Sequence, residues 1–185
     1  MVSDETLVSQ FQNGNEQAFN ELVNRYREKA YQIAYRMVRN QDDALDLAQD
    51  AFVRAYKGLR NFKGNSKFYT WFYRIVTNLC INFKTRNRFK DAVSLDNEDV
   101  HLPLESKTRS PLKDVINQEL KQKIAEAIAQ LPAQQRTVFI LRYYEGLTHQ
   151  EIANILGKSE GGIKANYFHA VKKLQSLLAA YQHGL

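Results

Sequence analysis

Residues 51–90 carry ten Lys or Arg and no Asp or Glu. The same stretch holds Phe52, Tyr56, Phe62, Phe68, Tyr69, Trp71, Phe72, Tyr73, Phe83 and Phe89. Basic groups attract phosphate, and flat aromatic rings offer faces on which unpaired bases stack. That combination points to nucleic acid and suits a strand that has been opened. Covalent chemistry is not indicated. The four histidines, His101, His149, His169 and His183, are scattered, and no acid or nucleophile spacing forms a catalytic pair, so the chain is not expected to be an enzyme. Cys80 is the lone cysteine and no Cys/His set has zinc-site spacing, so a reducing compartment is expected, with no structural metal and no cofactor. Cys80 is expected in the core.

The totals agree with a globular nucleic-acid binder. The chain has 185 residues, 44% hydrophobic and 25% charged, with a net charge of +6. That is enough to bury one or two modest cores, and the positive charge favours a polyanionic partner. The N-terminus lacks a basic segment followed by an apolar run, and no run of about eighteen apolar residues occurs, so a cytoplasmic location is expected.

The elements that must position the basic, aromatic stretch read as helices throughout. A short helix over 4–11 ends at Asn13-Gly14, and Asn15 is placed to cap a second helix. In that helix Phe19, Leu22, Val23, Tyr26, Ala30, Ile33, Ala34, Met37 and Val38 recur at steps of three and four, which marks one buried face. After a break and cap at residues 40–42, a third helix turns Leu47, Ala48, Ala51, Phe52, Ala55, Tyr56 and Leu59 inward. Asp46, Gln49, Asp50 and Arg54 fall on its other face. Residues 61–66 read as a loop, with Gly64 and Asn65 suited to a turn and Ser66 to capping. The next helix, 67–83, places Phe68, Phe72, Ile75, Val76, Leu79 and Phe83 on one side, leaving Tyr69, Thr70, Trp71, Tyr73 and Arg74 as a rim for ligand contact.

Residues 91–112 change character: acids outnumber bases, Pro103 and Pro111 occur, and no helical or strand period persists, as in a linker. Helical spacing resumes at Leu120, Ile124, Ala127, Ile128 and Leu131, stops at Pro132, and continues over 133–145 until Gly146. Thr148 and Glu151 then form a capping box for a short helix that ends at Gly157. Ser159 caps a last helix with Ile163, Tyr167, Ala170, Val171, Leu174 and Leu178 inward. The expected fold is all-α, two helical bundles: residues 1–90, a flexible linker over 91–112, and residues 113–185.

The two helices around Gly157-Lys158-Ser159 have a helix-turn-helix layout. Ala153 is small enough for a close crossing, and Ile163 locks the second helix onto the first. In a major groove, the exposed turns of the second helix would offer Lys164, Ala165, Phe168 and His169 to bases and phosphates, with Lys172 farther along as a phosphate contact.

A helix-turn-helix does not by itself name a function. The runs over 43–52 (DALDLAQDAF) and 68–78 (FYTWFYRIVTN) resemble region 2 of the bacterial sigma-70 family, within it the extracytoplasmic-function group. The runs over 146–153 (GLTHQEIA) and 161–164 (GGIK) resemble region 4 of the same group. The resemblance implies an alternative sigma factor that binds core RNA polymerase and promoter DNA. Asp46, Gln49, Asp50 and Arg54 would dock on the clamp helices of the largest polymerase subunit, and region 4 on the flap of the second. Asn61, Lys63, Asn65, Lys67, Phe68, Tyr69, Trp71 and Arg74 would take the melted minus-10 strand, with a flipped base in the loop. The helix-turn-helix residues named above would read the minus-35 element. An anti-sigma factor is an implied partner.

Several positions depart from the family pattern. Trp71 stands alone, and Arg74-Ile75 fall roughly where primary sigma factors use paired tryptophans. Leu45 replaces a common acid. Asn166 and His169 fall where Arg is frequent, and Gly162 where Thr is, which leaves the minus-35 preference open. Two rival readings remain: a helix-turn-helix regulator that acts without polymerase docking, and an anti-sigma or adaptor protein that imitates sigma regions.

Overall fold

A computed structural model of the chain describes residues 2–91 and 111–182. Most of the expected linker, with His101 and Pro103, lies outside the described residues, as does His183. Among the described residues there is no strand, and no helix is long and apolar enough to cross a membrane.

Four helices form the N-terminal domain: α1 (Asp4–Gln12), α2 (Glu16–Val38), α3 (Gln41–Leu59) and α4 (Phe68–Asp91). Their starts follow from side chains that satisfy the open amides of a first turn. Ser3 accepts from the Thr6 amide, Asn15 from Gln17 and Asn40 from Asp43. Arg39 ends α2 in the left-handed region at φ 64. α2 packs on both α3 and α4, with α1 laid across α2. Leu22, Ile33, Leu59, Phe72 and Val76 are fully enclosed, each stabilising the fold by about 1.5–3 kcal/mol through burial alone. Cys80 lies in this core as expected, and burial pushes its thiol up to about 12.

The C-terminal domain contains α5 (Pro111–Ala129), α6 (Ala133–Phe139), α7 (His149–Leu156) and α8 (Glu160–Gln182). Between α6 and α7 the expected continuous helix over 133–145 instead widens into a π-helical turn, Ile140–Tyr144. Gly146, at φ 68, then lets the Leu147 amide return to the Leu141 carbonyl at 3.2 Å. The same turn leaves Tyr143 exposed and stacked on Phe139. Leu120, expected to face inward, is 54% exposed; it lies about two turns before Ala127, which is buried.

The two domains do not keep separate cores. One cluster runs from Leu22, Val76, Leu79 and Cys80 into Val138, Ile152, Ile155 and Ile163, while a second lies between α5, α6 and α8. Arg136 fastens the junction from within. Its guanidinium is buried and donates to the carbonyls of Ile128, Ala129 and Leu131 at the end of α5. It also reaches the Met37 carbonyl near the end of α2, at 3.5 Å. Carbonyls at a helix end run short of backbone amides, and a fixed cationic fork suits them; that of Ile128 is shared with the Leu131 amide at 3.1 Å. Beside it, Arg36 pairs with Glu145 at 3.7 Å and lies 4.1 Å over the Tyr144 ring. Burial nevertheless raises the Glu145 carboxyl above its ordinary range, outweighing the arginine.

Candidate nucleic-acid interface

Asp46, Gln49, Asp50 and Arg54 all stand exposed on α3, opposite the buried Ala44, Leu47, Ala48, Ala51 and Ala55. The structure brings these four together on one face, and adds two residues that the sequence reading did not include. Leu45 and Val53 are 44% and 52% exposed, four residues to either side of Gln49. They give the polar patch an apolar middle, the composition of a protein interface. The available signal was that both fall outside the inward stripe of α3.

The α3–α4 connection is a built loop. The amides of Asn61 and Phe62 bond back to Gly58 and Leu59, and Gly64 turns at φ 70, a region open to glycine. Asn61, Lys63, Asn65 and Lys67 are exposed along it. From α1, Gln12 Nε2 donates to the Leu59 and Phe62 carbonyls at 2.9 and 2.8 Å. Nothing in the sequence marked Gln12, because its partners lie about fifty positions away. Trp71 is half-buried under the loop, its ring 5.0 Å from that of Phe62 and in contact with the bare Cα of Gly58.

Two members of the expected rim, and Phe68 from the set implied for the minus-10 strand, are placed differently. Phe68 is 2% exposed, held between Tyr26 and Phe72 with ring centroids 5.3 and 5.8 Å away. As a core residue it has no face free for a base. Thr70 and Tyr73 are also buried, Tyr73 with its ring beside those of Tyr26, Tyr69 and Phe72.

From the other domain, α7 packs on α4. The Tyr69 hydroxyl donates to Glu151 Oε1, and Arg74 donates to the Asn154 and Ile155 carbonyls, the latter at 3.2 Å from Nε. Tyr69 and Arg74 are therefore engaged by the helix-turn-helix, while the loop set and Trp71 keep to their own side. Glu151 also completes the capping box expected at α7, with Oε2 accepting from the Thr148 amide at 2.8 Å and Thr148 Oγ1 accepting from the Glu151 amide at 3.2 Å. Bonding to Tyr69 first, and then to the Thr148 amide, holds its carboxyl below the ordinary glutamate value. The Tyr69 hydroxyl is raised, mainly by burial and then by that carboxylate.

The helix-turn-helix is assembled as its sequence requires. Gly157 takes the left-handed turn at φ 64, Ser159 Oγ accepts from the Gly162 amide at 3.2 Å, and Ala153 and Ile163 are buried at the crossing. Lys164, Ala165, Phe168, His169 and Lys172 are exposed together on α8. Lys164 forms an ion pair with Glu160 at 2.7 Å, and Phe168 is 63% exposed with its ring against His169.

An outward recognition helix, joined to a second helical domain with an acid-free, aromatic-backed loop, defines a two-domain DNA-binding protein. The comparisons specify it further. Residues 22–90 match Sigma-70 region 2 and residues 121–174 match Sigma-70, region 4. The chain belongs to the sigma-70 family of RNA polymerase sigma factors, in its extracytoplasmic-function group. It is 34% identical to the RNA polymerase sigma-H factor of Pseudomonas aeruginosa, over 95% of this chain and 93% of that protein. Identity to the ECF sigma factor SigW of Bacillus subtilis is 35%, over 92% and 94%. Among solved structures it is similar to CnrH, in complex with the cytosolic domain of CnrY: TM-score 0.72 at 27% identity, covering 97% of this chain and 99% of that one. The fold also matches RpoE of Bartonella quintana, solved with the anti-sigma factor NepR, at TM-score 0.70 and 24% identity, covering 87% and 96%.

Proposed function

We propose that this sigma factor directs core RNA polymerase to promoters by reading two DNA elements and helps to open the duplex. The observation that carries the reading is the pairing, on one chain, of a duplex-reading helix-turn-helix with an acid-free loop backed by Trp71 and Phe62. The exposed face of Asp46, Gln49, Asp50 and Arg54, with Leu45 and Val53, would dock on the clamp helices of the polymerase largest subunit. The C-terminal domain would engage the flap of the second subunit. Asn61, Lys63, Asn65 and Lys67 would hold the non-template minus-10 strand, and α8 the minus-35 duplex. The natural division of labour is residues 1–90 for docking and melting and 113–185 for minus-35 recognition. Nucleotide chemistry belongs to the polymerase, and the chain itself is not an enzyme.

Magnitudes support a shared task. Unstacking costs a few kcal/mol per step, and stacking on an aromatic side chain returns about 1–3 kcal/mol per base. The balance is close, so polymerase binding must assist. Because Tyr69 and Arg74 are held by α7, the domains must also part before either side chain can reach a strand. Similarity to CnrH, solved in complex with the cytosolic domain of CnrY, supports control by a protein partner, which on this reading is an anti-sigma factor that covers these surfaces.

Run-off transcription with core polymerase on a panel of genomic promoters tests the reading. New start sites that depend on this chain are expected. Their absence, together with failure of polymerase to co-purify, refutes it and favours a regulator that acts on duplex DNA alone.

A further inference from the structure

α1 lies before the stretch that matches region 2, residues 22–90, yet it forms one side of the loop site. Its position is fixed from two directions. Leu7, Val8 and Phe11 are buried, and Asp4 accepts from Arg25 Nη1 at 3.0 Å and from the Tyr26 hydroxyl. From this platform Gln12 bonds both loop carbonyls described above.

Between α1 and the loop is a recess of about 250 Å³, with Glu5, Ser9 and Gln12 on one side and Phe62, Lys63 and Ser66 on the other. Its two walls differ in chemistry. The helix wall offers acceptors: the Ser9 hydroxyl and the Glu5 carboxylate, held below its ordinary range by the amide at its own position, then Ser3, with Lys67 nearby. The loop wall offers an aromatic ring and an ammonium group. A nucleotide divides in the same way, into a phosphate that seeks ammonium, a flat body that seeks an apolar face, and a base edge. An edge with an exocyclic amine needs acceptors, whereas a carbonyl edge turned toward a carboxylate is repelled.

We propose that α1 completes the base pocket of the minus-10 loop, with Gln12 as the residue that positions the loop. Glu5 and Ser9 then select a base that bears an exocyclic amine, adenine, cytosine or guanine, against thymine, which has none. This rests on the promoter-melting reading above. It adds to that reading a specificity wall outside the matched region.

The test is a selection. Holoenzyme, formed from core polymerase and the full chain, is used to enrich forked promoter fragments randomised through the non-template minus-10 strand. With the unaltered chain, one position should enrich an amine-bearing base by roughly tenfold over thymine. In Glu5→Ala/Ser9→Ala, exposed helical sites where alanine is well tolerated, that position should fall to near parity while other enriched positions persist. Gln12→Ala should blur the same position, and Gln12→Lys, which restores a donor to the two carbonyls, should recover it. Melting followed by Trp71 emission shows whether each variant is folded. An unchanged motif in the double variant overturns the proposal, as does loss at a position that had favoured thymine. If the unaltered chain enriches no motif at all, the sigma reading itself fails.

Discussion

Tyr69→Phe removes one oxygen and keeps the ring, so it tests whether α7 gates access to the α4 face. The hydroxyl donates to a carboxylate in a part-buried setting. Hydrogen bonds to charged groups contribute about 1.5–3 kcal/mol; with Glu151 at the domain edge and reached by water, about 1 kcal/mol is the fitting value. That corresponds to about a fivefold change in the ratio of closed to open chain. A ligand that binds only the open form has its affinity reduced by the open fraction. The free variant should therefore bind a single-stranded minus-10 oligonucleotide about fivefold more tightly than the unaltered chain, measured by fluorescence anisotropy at fixed salt. In holoenzyme, where polymerase holds the domains, the gain should vanish. The sign is diagnostic, because loss of a hydroxyl that merely touched DNA weakens binding. Equal or weaker binding by the free variant would refute the gating argument.

The Glu151 carboxyl lies below its ordinary 4.5, so its contribution to closure is complete above that value and is lost as pH falls through the depressed one; energy transfer between dyes on the two domains should drop below pH 4.5. Glu145 has the opposite sign, since burial raises it: its ionisation costs stability as pH rises through the raised value, and Glu145→Gln should flatten that part of the melting profile. Arg136→Met takes the guanidinium from the carbonyls of Ile128, Ala129 and Leu131, of which Ile128 keeps the Leu131 amide, and should cost about 3 kcal/mol in denaturant unfolding. Gly58→Ala gains about 1 kcal/mol of helix propensity, but its Cβ would stand 3.0 Å from Trp71 Cζ2, so Trp71 emission should shift and the net gain should stay below that figure.

Local signals were legible because they depend on neighbours in the chain. Asn15, Asn40, Thr148 with Glu151, and Gly157 all act where their spacing places them, and the outward set on α8 follows from helical period alone. Contacts made at long range were not legible. A helical stripe tells which side of α4 meets its own domain, but not that α7 engages Tyr69 and Arg74 from another side. Phe68 was assigned both to the core and to DNA, and its rings with Tyr26 and Phe72 place it in the core. Gln12 carries no local pattern, since its worth lies in two carbonyls of a distant loop. Leu45, read as a departure from an acidic patch, becomes intelligible only beside Val53.

The continuous core from α4 into α7 also bears on solubility. Val76, Leu79, Ile152, Ile155 and Ile163 are each 3% exposed or less in the closed chain. Parting the domains wets some of this surface, and bare aliphatic patches are what drive proteins to self-associate. The opened form is thus an adhesive species, best generated where another macromolecule is at hand to sheathe it. The closed form can be stockpiled. Such a chain should accumulate harmlessly until polymerase becomes free, and variants biased open should be lost to aggregation or proteolysis before they are lost to misdirected transcription.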